Sequence, residues 1–191
     1  MKGRADYIKV FSFEAPSSQG VPSTFRKLQA NEEQRIYWNR PPSAAYSVPP
    51  TLLHPIFGEF MDDCLNHGTT PVDNSLVFSL WSKMSDYFPE EIGRVAALRT
   101  VLREHGINTS GTTLDNTKYT TDGDMQISGH RYVILEVKNE IASGSADPYS
   151  QAVSYYTHST HPFAVNKPGF RFPCFLITLF GKLCALCRYL R

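Results

Sequence analysis

Cysteine is scarce in this chain: Cys64, Cys174, Cys184 and Cys187 are its four thiols. They build no disulfide framework, which fits a reducing compartment. Cys184-Ala-Leu-Cys187 has the spacing of half a zinc site, but no second Cys/His pair follows it, so a structural zinc is not expected. An excess of either charge is also missing, with 19 Lys and Arg against 18 Asp and Glu for a net charge of +1. That balance neither demands nor excludes a nucleic-acid partner; any basic surface has to be local. The one membrane-like stretch, Phe172 to Leu190, is cleanly apolar only from Cys174 to Phe180 before Lys182 interrupts it. A membrane helix needs roughly 20 apolar residues. A buried strand is therefore expected there rather than a tail anchor over 172–190, and no membrane partner. Met1 to Val10 carries charges with no apolar core after them, so no secretory signal is seen and an intracellular protein, cytoplasmic or nuclear, is expected. There is no Gly-x-Ser-x-Gly for a serine nucleophile, and no Gly-rich loop, His-Arg-Asp or Asp-Phe-Gly of a kinase. No internal repeat or low-complexity run occurs.

What is present suits one globular domain with an extension: 191 residues, 41% hydrophobic, with a mean hydropathy of -0.29. Residues 1–50 read as a partly irregular arm. In it Ala15 to Ser23 is loop-like, Thr24 to Trp38 suits one charged helix, and Pro41-Pro42 and Pro49-Pro50 bracket a second loop. Residues 51–191 form the main domain, helical over 51–106 and α/β over 107–181, with a tail at 182–191. In the helical part, Ile56, Phe57, Phe60, Met61, Cys64 and Leu65 recur at helical spacing. Leu76, Val77, Leu80, Trp81, Met84 and Phe88 repeat the stripe behind Asp73, which looks like an N-cap. A third helix starts near Pro89-Glu90-Glu91 and stops near Gly106. These stripes are expected to be core faces, with Cys64 a core thiol.

After Gly106 the character changes. Asn108 to Tyr119 is loop or a short first strand, and Tyr119 to Ile127 and Arg131 to Lys138 read as strands joined by Ser128-Gly129. Asp147-Pro148 opens a helix running to about Ser159, and Phe172 to Phe180 is a last strand. Within Tyr132-Val-Ile-Leu-Glu136-Val-Lys138, alternation puts Tyr132, Ile134, Glu136 and Lys138 on one face. Burying a carboxylate and an ammonium costs several kcal/mol each unless they are paired or hold a ligand. A turn centred near 129 sets Asp122 opposite Glu136; one residue of slack sets Asp124 there instead. Either way two carboxylates meet across the hairpin at about 5 Å between Cβ atoms. Carboxylate oxygens suit Mg²⁺ or Mn²⁺. Metal, carboxylates and Lys138 together suit phosphodiester hydrolysis. The plainer reading is a cross-strand Asp–Lys or Glu–Lys pair on a solvated face. Against it stand the strongly apolar strand, the acid at hairpin distance, and Gln151 and Tyr155 one helical turn apart on the next helix.

These residues resemble the PD-(D/E)xK motif of restriction-endonuclease-like nucleases: Asp122 or Asp124, then Glu136-Val-Lys138. Gln151-x-x-x-Tyr155 resembles the extra motif of the RecB-like and lambda-exonuclease-like branch. The string Asp122-Gly-Asp-Met … Leu-Glu-Val-Lys-Asn-Glu … Asp147-Pro-Tyr-x-Gln151 is similar, more narrowly, to fungal nuclease-like domains related to the Crinkler effectors, which often accompany a kinase-like domain. The resemblance covers about residues 119–181. It implies an α/β (α+β) restriction-endonuclease-like core of helix, antiparallel three-stranded meander, helix and strand, behind an N-terminal helical extension. It implies Mg²⁺- or Mn²⁺-dependent cleavage of nucleic acid, DNA ahead of RNA, with a kinase-like partner domain in relatives. Asp124, Asp122, Glu136 and Val137 would hold the metal, Lys138 would assist the water, and Gln151 and Tyr155 would position the substrate backbone. Motif spacing favours Asp124 as the first acid; the hairpin allows Asp122. Such nucleases often add an acid from the first core helix, for which Glu59, Glu91 and Glu104 are all candidates. The first acid follows Thr or Gly rather than Pro. Relatives continue past Gly181 with further strand-like sequence, so the resemblance implies a shortened C-terminus with an uncovered sheet edge. The alternative is an inactive nuclease-like interaction or effector module, or a fragment of a kinase-linked protein. His158 and His161 suit a helix-terminal surface role, and Tyr149, Tyr155 and Tyr156 are candidates for base stacking.

Overall fold

A computed structural model describes residues 14–36, 50–52, 55–139, 146–167, 172–181 and 183–190, the last stretch by its backbone alone. In chain order it contains α1 (Pro16–Gln19), α2 (Pro22–Ala30), a 3₁₀ turn (Pro50–Leu52), α3 (Pro55–Asn66), α4 (Pro71–Met84), α5 (Glu91–Glu104), β1 (Gly123–Ile127), β2 (His130–Lys138), α6 (Pro148–Asn166), β3 (Cys174–Phe180) and β4 (Leu183–Leu190). This is a mixed α/β architecture, with one sheet of strand order β1-β2-β3-β4.

The sheet begins at a two-residue turn. Ser128 and Gly129 both take positive φ, 50° and 80°. A turn of that hand matches the twist of the flanking strands, and glycine adopts it without strain. The pairing then slips: Gln126 faces Arg131 but Met125 faces Val133, so Tyr132 is the extra residue of a bulge. β3 runs parallel to β2, with Glu136 beside Thr178. Parallel neighbours need a long crossover, which α6 supplies. Asp147 caps α6 by accepting the Ser150 N–H at 2.8 Å, with Pro148 at its first turn.

Helices cover both faces of the sheet. Ile134, Cys174 and Leu176 pack against Ala152, Val153 and Tyr155 of α6. Leu135, Val137 and Leu179 pack against Met84 of α4 and Val95 and Leu98 of α5. Full burial of each such aliphatic side chain contributes about 1.5–3 kcal/mol. The arm also docks here: the Ser154 hydroxyl donates to Gln19 Oε1 at 2.5 Å, and the Asp147 N–H donates to the Gly20 carbonyl at 2.8 Å.

Several expectations need correction. The first strand of the meander is reduced to isolated bridges, Ser110 with Asp124 and Thr113 with Thr120. Local bonds compete there: the Thr117 hydroxyl donates to the Leu114 carbonyl, and Asn116 takes a positive φ of 59°. Residues 183–190, expected as a tail, form β4 on β3, so β4 is the strand that ends the sheet. α6 passes Ser159 and Pro162 to Asn166, because Phe163 beyond the proline stacks on Phe172 and His130 at 5.9 and 6.4 Å. The helix expected over Thr24 to Trp38 spans Pro22–Ala30, stopped where the Asn31 side chain accepts the Glu33 N–H; Trp38 lies outside the described residues. Ala15 to Ser23 is partly helical rather than loop. Thr70, not Asp73, caps α4, and Asp73 closes the capping box at the third helical position. The helical stripes are only partly core: on α3 Phe57 alone is buried, on α4 Met84 alone, and Cys64 is exposed. Cys184 and Cys187 lie outside the residues whose side chains are described, as does the Pro41-Pro42 loop. Among the described residues no helix is long and apolar enough to cross a membrane.

Candidate functional site

The bulge at Tyr132 decides which acid meets Glu136. A two-residue turn without it would set Asp122 opposite Leu135. With it, Gly123 faces Leu135 and Asp122 comes next to Glu136. Asp122 Oδ2 accepts the Val137 N–H at 2.8 Å, extending the ladder by one side-chain bond. Arg99 of α5 donates through Nε and Nη2 to the Asp122 carbonyl. Gly123 between the acids is required by close approach: a Cβ there would lie 2.9 Å from Leu135 Cδ2.

Glu136 is 1% exposed. Lys138 Nζ lies 2.9 Å from Glu136 Oε1, off the hydrogen-bonding direction, and no hydrogen bond reaches Oε2. The same ammonium donates to Glu91 Oε1 at 2.9 Å. Glu91 stands in the first turn of α5, so of the three helix acids it is the one brought to the motif. Glu104 ends the same helix, about 20 Å away at 1.5 Å per residue, and Glu59 is exposed on α3.

Asp124, the acid favoured by motif spacing, is elsewhere. It is buried and receives Thr112 and Thr121 hydroxyls at 2.5 Å each, the Gln126 amide at 2.7 Å, and the Arg131 guanidinium at 3.4 Å. Arg131 also donates to the Thr113 carbonyl at 3.0 Å. These bonds tie the irregular 110–121 segment to the sheet and occupy the Asp124 carboxylate with partners other than Glu136.

Burial dominates the electrostatics. It raises Asp122 above its ordinary value against the opposing Val137 N–H. Burial, then the Asp122 charge, pushes Glu136 well above its ordinary value. Burial pulls Lys138 down, but Glu136 and Glu91 more than reverse it, and its net shift is upward. Glu91 is a second partner for the same ammonium.

α6 presents Gln151 and Tyr155 to the same cluster. Burial first, then the Glu136 charge, raises the Tyr155 phenol, and the neighbouring Gln151 amide opposes the rise. The Tyr155 hydroxyl donates to the Thr120 carbonyl at 2.8 Å, and Gln151 Oε1 is buried without a hydrogen-bond partner. Val137 offers its amide to Asp122 while its side chain lies in the core. Tyr149 and Tyr156 pack on the core, the latter donating to the Phe172 carbonyl, so they form no open stacking platform. His158 is buried rather than superficial, its Nε2 2.8 Å from the Glu14 carbonyl oxygen.

Arg99 and Thr120 were not legible in sequence, since Arg99 donates to a backbone carbonyl and Thr120 accepts through its own. The acids and proline at 89–91 were the one signal for Glu91. Among the described residues, no group of three or more His, Cys, Asp or Glu side chains is arranged to hold a metal ion. The donor chemistry nonetheless suits a hard cation: two carboxylates, one with a buried oxygen that no hydrogen bond reaches. Mg²⁺ keeps several waters and commonly takes only one or two carboxylates plus substrate oxygens.

Compared with protein-family models, curated proteins and solved structures, the chain matches none.

Proposed function

We propose that this chain is a metal-dependent phosphodiesterase acting on nucleic acid, DNA ahead of RNA, with a PD-(D/E)xK-like site on a restriction-endonuclease-like core. The observation that carries the reading is the buried Glu136 carboxylate, with an unbonded oxygen, beside Asp122 and 2.9 Å from Lys138. A carboxylate so placed is costly unless it is paired, protonated or serves a ligand, and Lys138 approaches only one of its two oxygens. Asp122 and Glu136 would hold Mg²⁺ or Mn²⁺, which supplies Lewis acidity toward a phosphate oxygen and a lowered pKa for bound water. Lys138 offers a positive charge for the phosphate oxygens as negative charge builds. Gln151 and Tyr155, fixed by burial and by Thr120, line the other side and orient the substrate backbone. Glu136 itself is screened from bulk water, which strengthens its interactions.

The test is cleavage of plasmid DNA and of RNA by the purified chain in Mg²⁺ or Mn²⁺. Glu136→Gln and Lys138→Ala are each expected to lose about 100- to 1000-fold activity with unchanged circular dichroism. Undiminished cleavage in the double variant refutes the assignment. A second reading, an inactive nuclease-like interaction module, is favoured by one observation: Lys138 already bridges two of the carboxylates. Absence of both Mn²⁺ binding and cleavage in the wild type selects it.

A further inference from the structure

We propose that Glu91 is a positioning residue that holds Lys138 from the α5 side and keeps it when Glu136 takes a cation, and that Glu91 is not itself a metal ligand. The inference rests on the cation-binding reading above.

Geometry provides the first argument. Lys138 Nζ sits 2.9 Å from one oxygen of each acid. The acids differ in surroundings: the Glu136 side chain is 1% exposed and that of Glu91 40% exposed. Glu91 therefore keeps water on its outer side and can hold an ammonium without further partners.

The local frame is the second argument, because it fixes Glu91 against the end of β2. The Asn139 amide donates to the Phe88 carbonyl at 3.1 Å. Arg94 donates to Asn139 Oδ1 at 3.0 Å, the Met84 carbonyl at 2.9 Å and the Gly181 carbonyl at 2.8 Å. Residue 139 follows Lys138, and residue 94 lies one turn from Glu91. The bonds thus clamp the two partners' backbones together and leave the ammonium little choice of position.

Charge is the third. Asp122, Glu136 and Glu91 carry three formal negative charges and Lys138 one positive. A divalent cation on Asp122 and Glu136 neutralises those two acids and repels the ammonium. Lys138 with Glu91 then remains as a neutral pair, and the site balances. Were Glu91 to ligate the cation alongside Asp122 and Glu136, an ammonium 11% exposed would stand beside a dication with no acid of its own.

The experiment uses full-length protein with Glu91→Gln and Glu91→Asp, Mn²⁺ calorimetry, steady-state cleavage, and nitrogen-15 NMR of the lysine ammonium groups, with Lys138→Arg to assign the signal. Glu91→Gln is expected to keep Mn²⁺ affinity within about threefold and to lose about 10- to 100-fold in kcat with little change in KM, as outer partners of metal sites do. Glu91→Asp is expected to restore most of the loss. In metal-free wild type the Lys138 ammonium signal is expected to be slow to exchange, and to broaden away in Glu91→Gln. A Mn²⁺ affinity weakened tenfold or more in Glu91→Gln, or a Lys138 signal indifferent to the substitution, overturns the proposal. If the wild type neither binds Mn²⁺ nor cuts, the nuclease reading fails, and the ammonium signal alone decides whether Glu91 positions Lys138.

Discussion

Residues 55–104 and residues 130–180 both carry strong apolar patterns, and they bury them differently. Ile134, Val137 and Leu176 of the sheet are 0% exposed, whereas Leu65, Val77 and Trp81 of the helices are 77%, 62% and 64% exposed. A central strand has neighbours on both edges and a helical layer on each face, so β2 is buried from Ile134 to Lys138. A helix buries one stripe, and α4 buries Met84 alone, against α5 and the sheet. The residues proposed to carry chemistry lie in the densely covered part. Charges as confined as Glu136 and Asp124 hold fixed geometry only where the surroundings cannot relax around them.

The comparison can be broken by substitution. Leu176→Ala is expected to destabilise by about 2–5 kcal/mol, since a void between β3 and α6 cannot close. Trp81→Ser is expected to stay within about 0.5 kcal/mol. Urea unfolding measures both, and a Trp81 effect matching that of Leu176 would erase the distinction between the two regions. The smallest effect lies at the start of α4, where exposed His67 Nε2 is 2.8 Å from Asp73 Oδ2. The His67 hydrogen bond, then those of Thr70, lower Asp73 to about 2, and Asp73 raises His67 above its ordinary 6.5. The Asp73 contribution is present above its unfolded value near 3.8 and lost as pH falls toward about 2. The His67 contribution is full below 6.5 and lost as pH rises through its raised value. The α4 cap is therefore expected to be firmest between these limits. NMR titration of His67 should give a pKa above 6.5 that drops to the ordinary value in Asp73→Asn; an unmoved value removes the linkage.

Much of the site was legible because its signal is local. An acid and a lysine in an apolar strand, a glycine turn, and a capped helix carrying Gln151 and Tyr155 each follow from spacing within one element. The choice between Asp122 and Asp124 was not legible, because it depends on one bulged residue, Tyr132, whose side chain gives no sign of it. Glu91 could not be separated from Glu59 and Glu104, since helix packing against the end of β2 makes that choice. α6 outran its expected end because proline removes one hydrogen bond, while Phe163 beyond it gains two aromatic contacts. Periodicity on α3 and α4 identified apolar faces but carried no information about what lies against them.

Titrating Mn²⁺ into the wild-type protein and into Asp122→Asn by calorimetry tests the account most directly. The wild type is expected to bind, and Asp122→Asn to bind at least about tenfold more weakly, a direct ligand mattering no less than the outer partners of metal sites. A wild type that takes up no Mn²⁺, or a variant that binds as tightly as the wild type, contradicts the claim that Asp122 and Glu136 form a cation-holding pair.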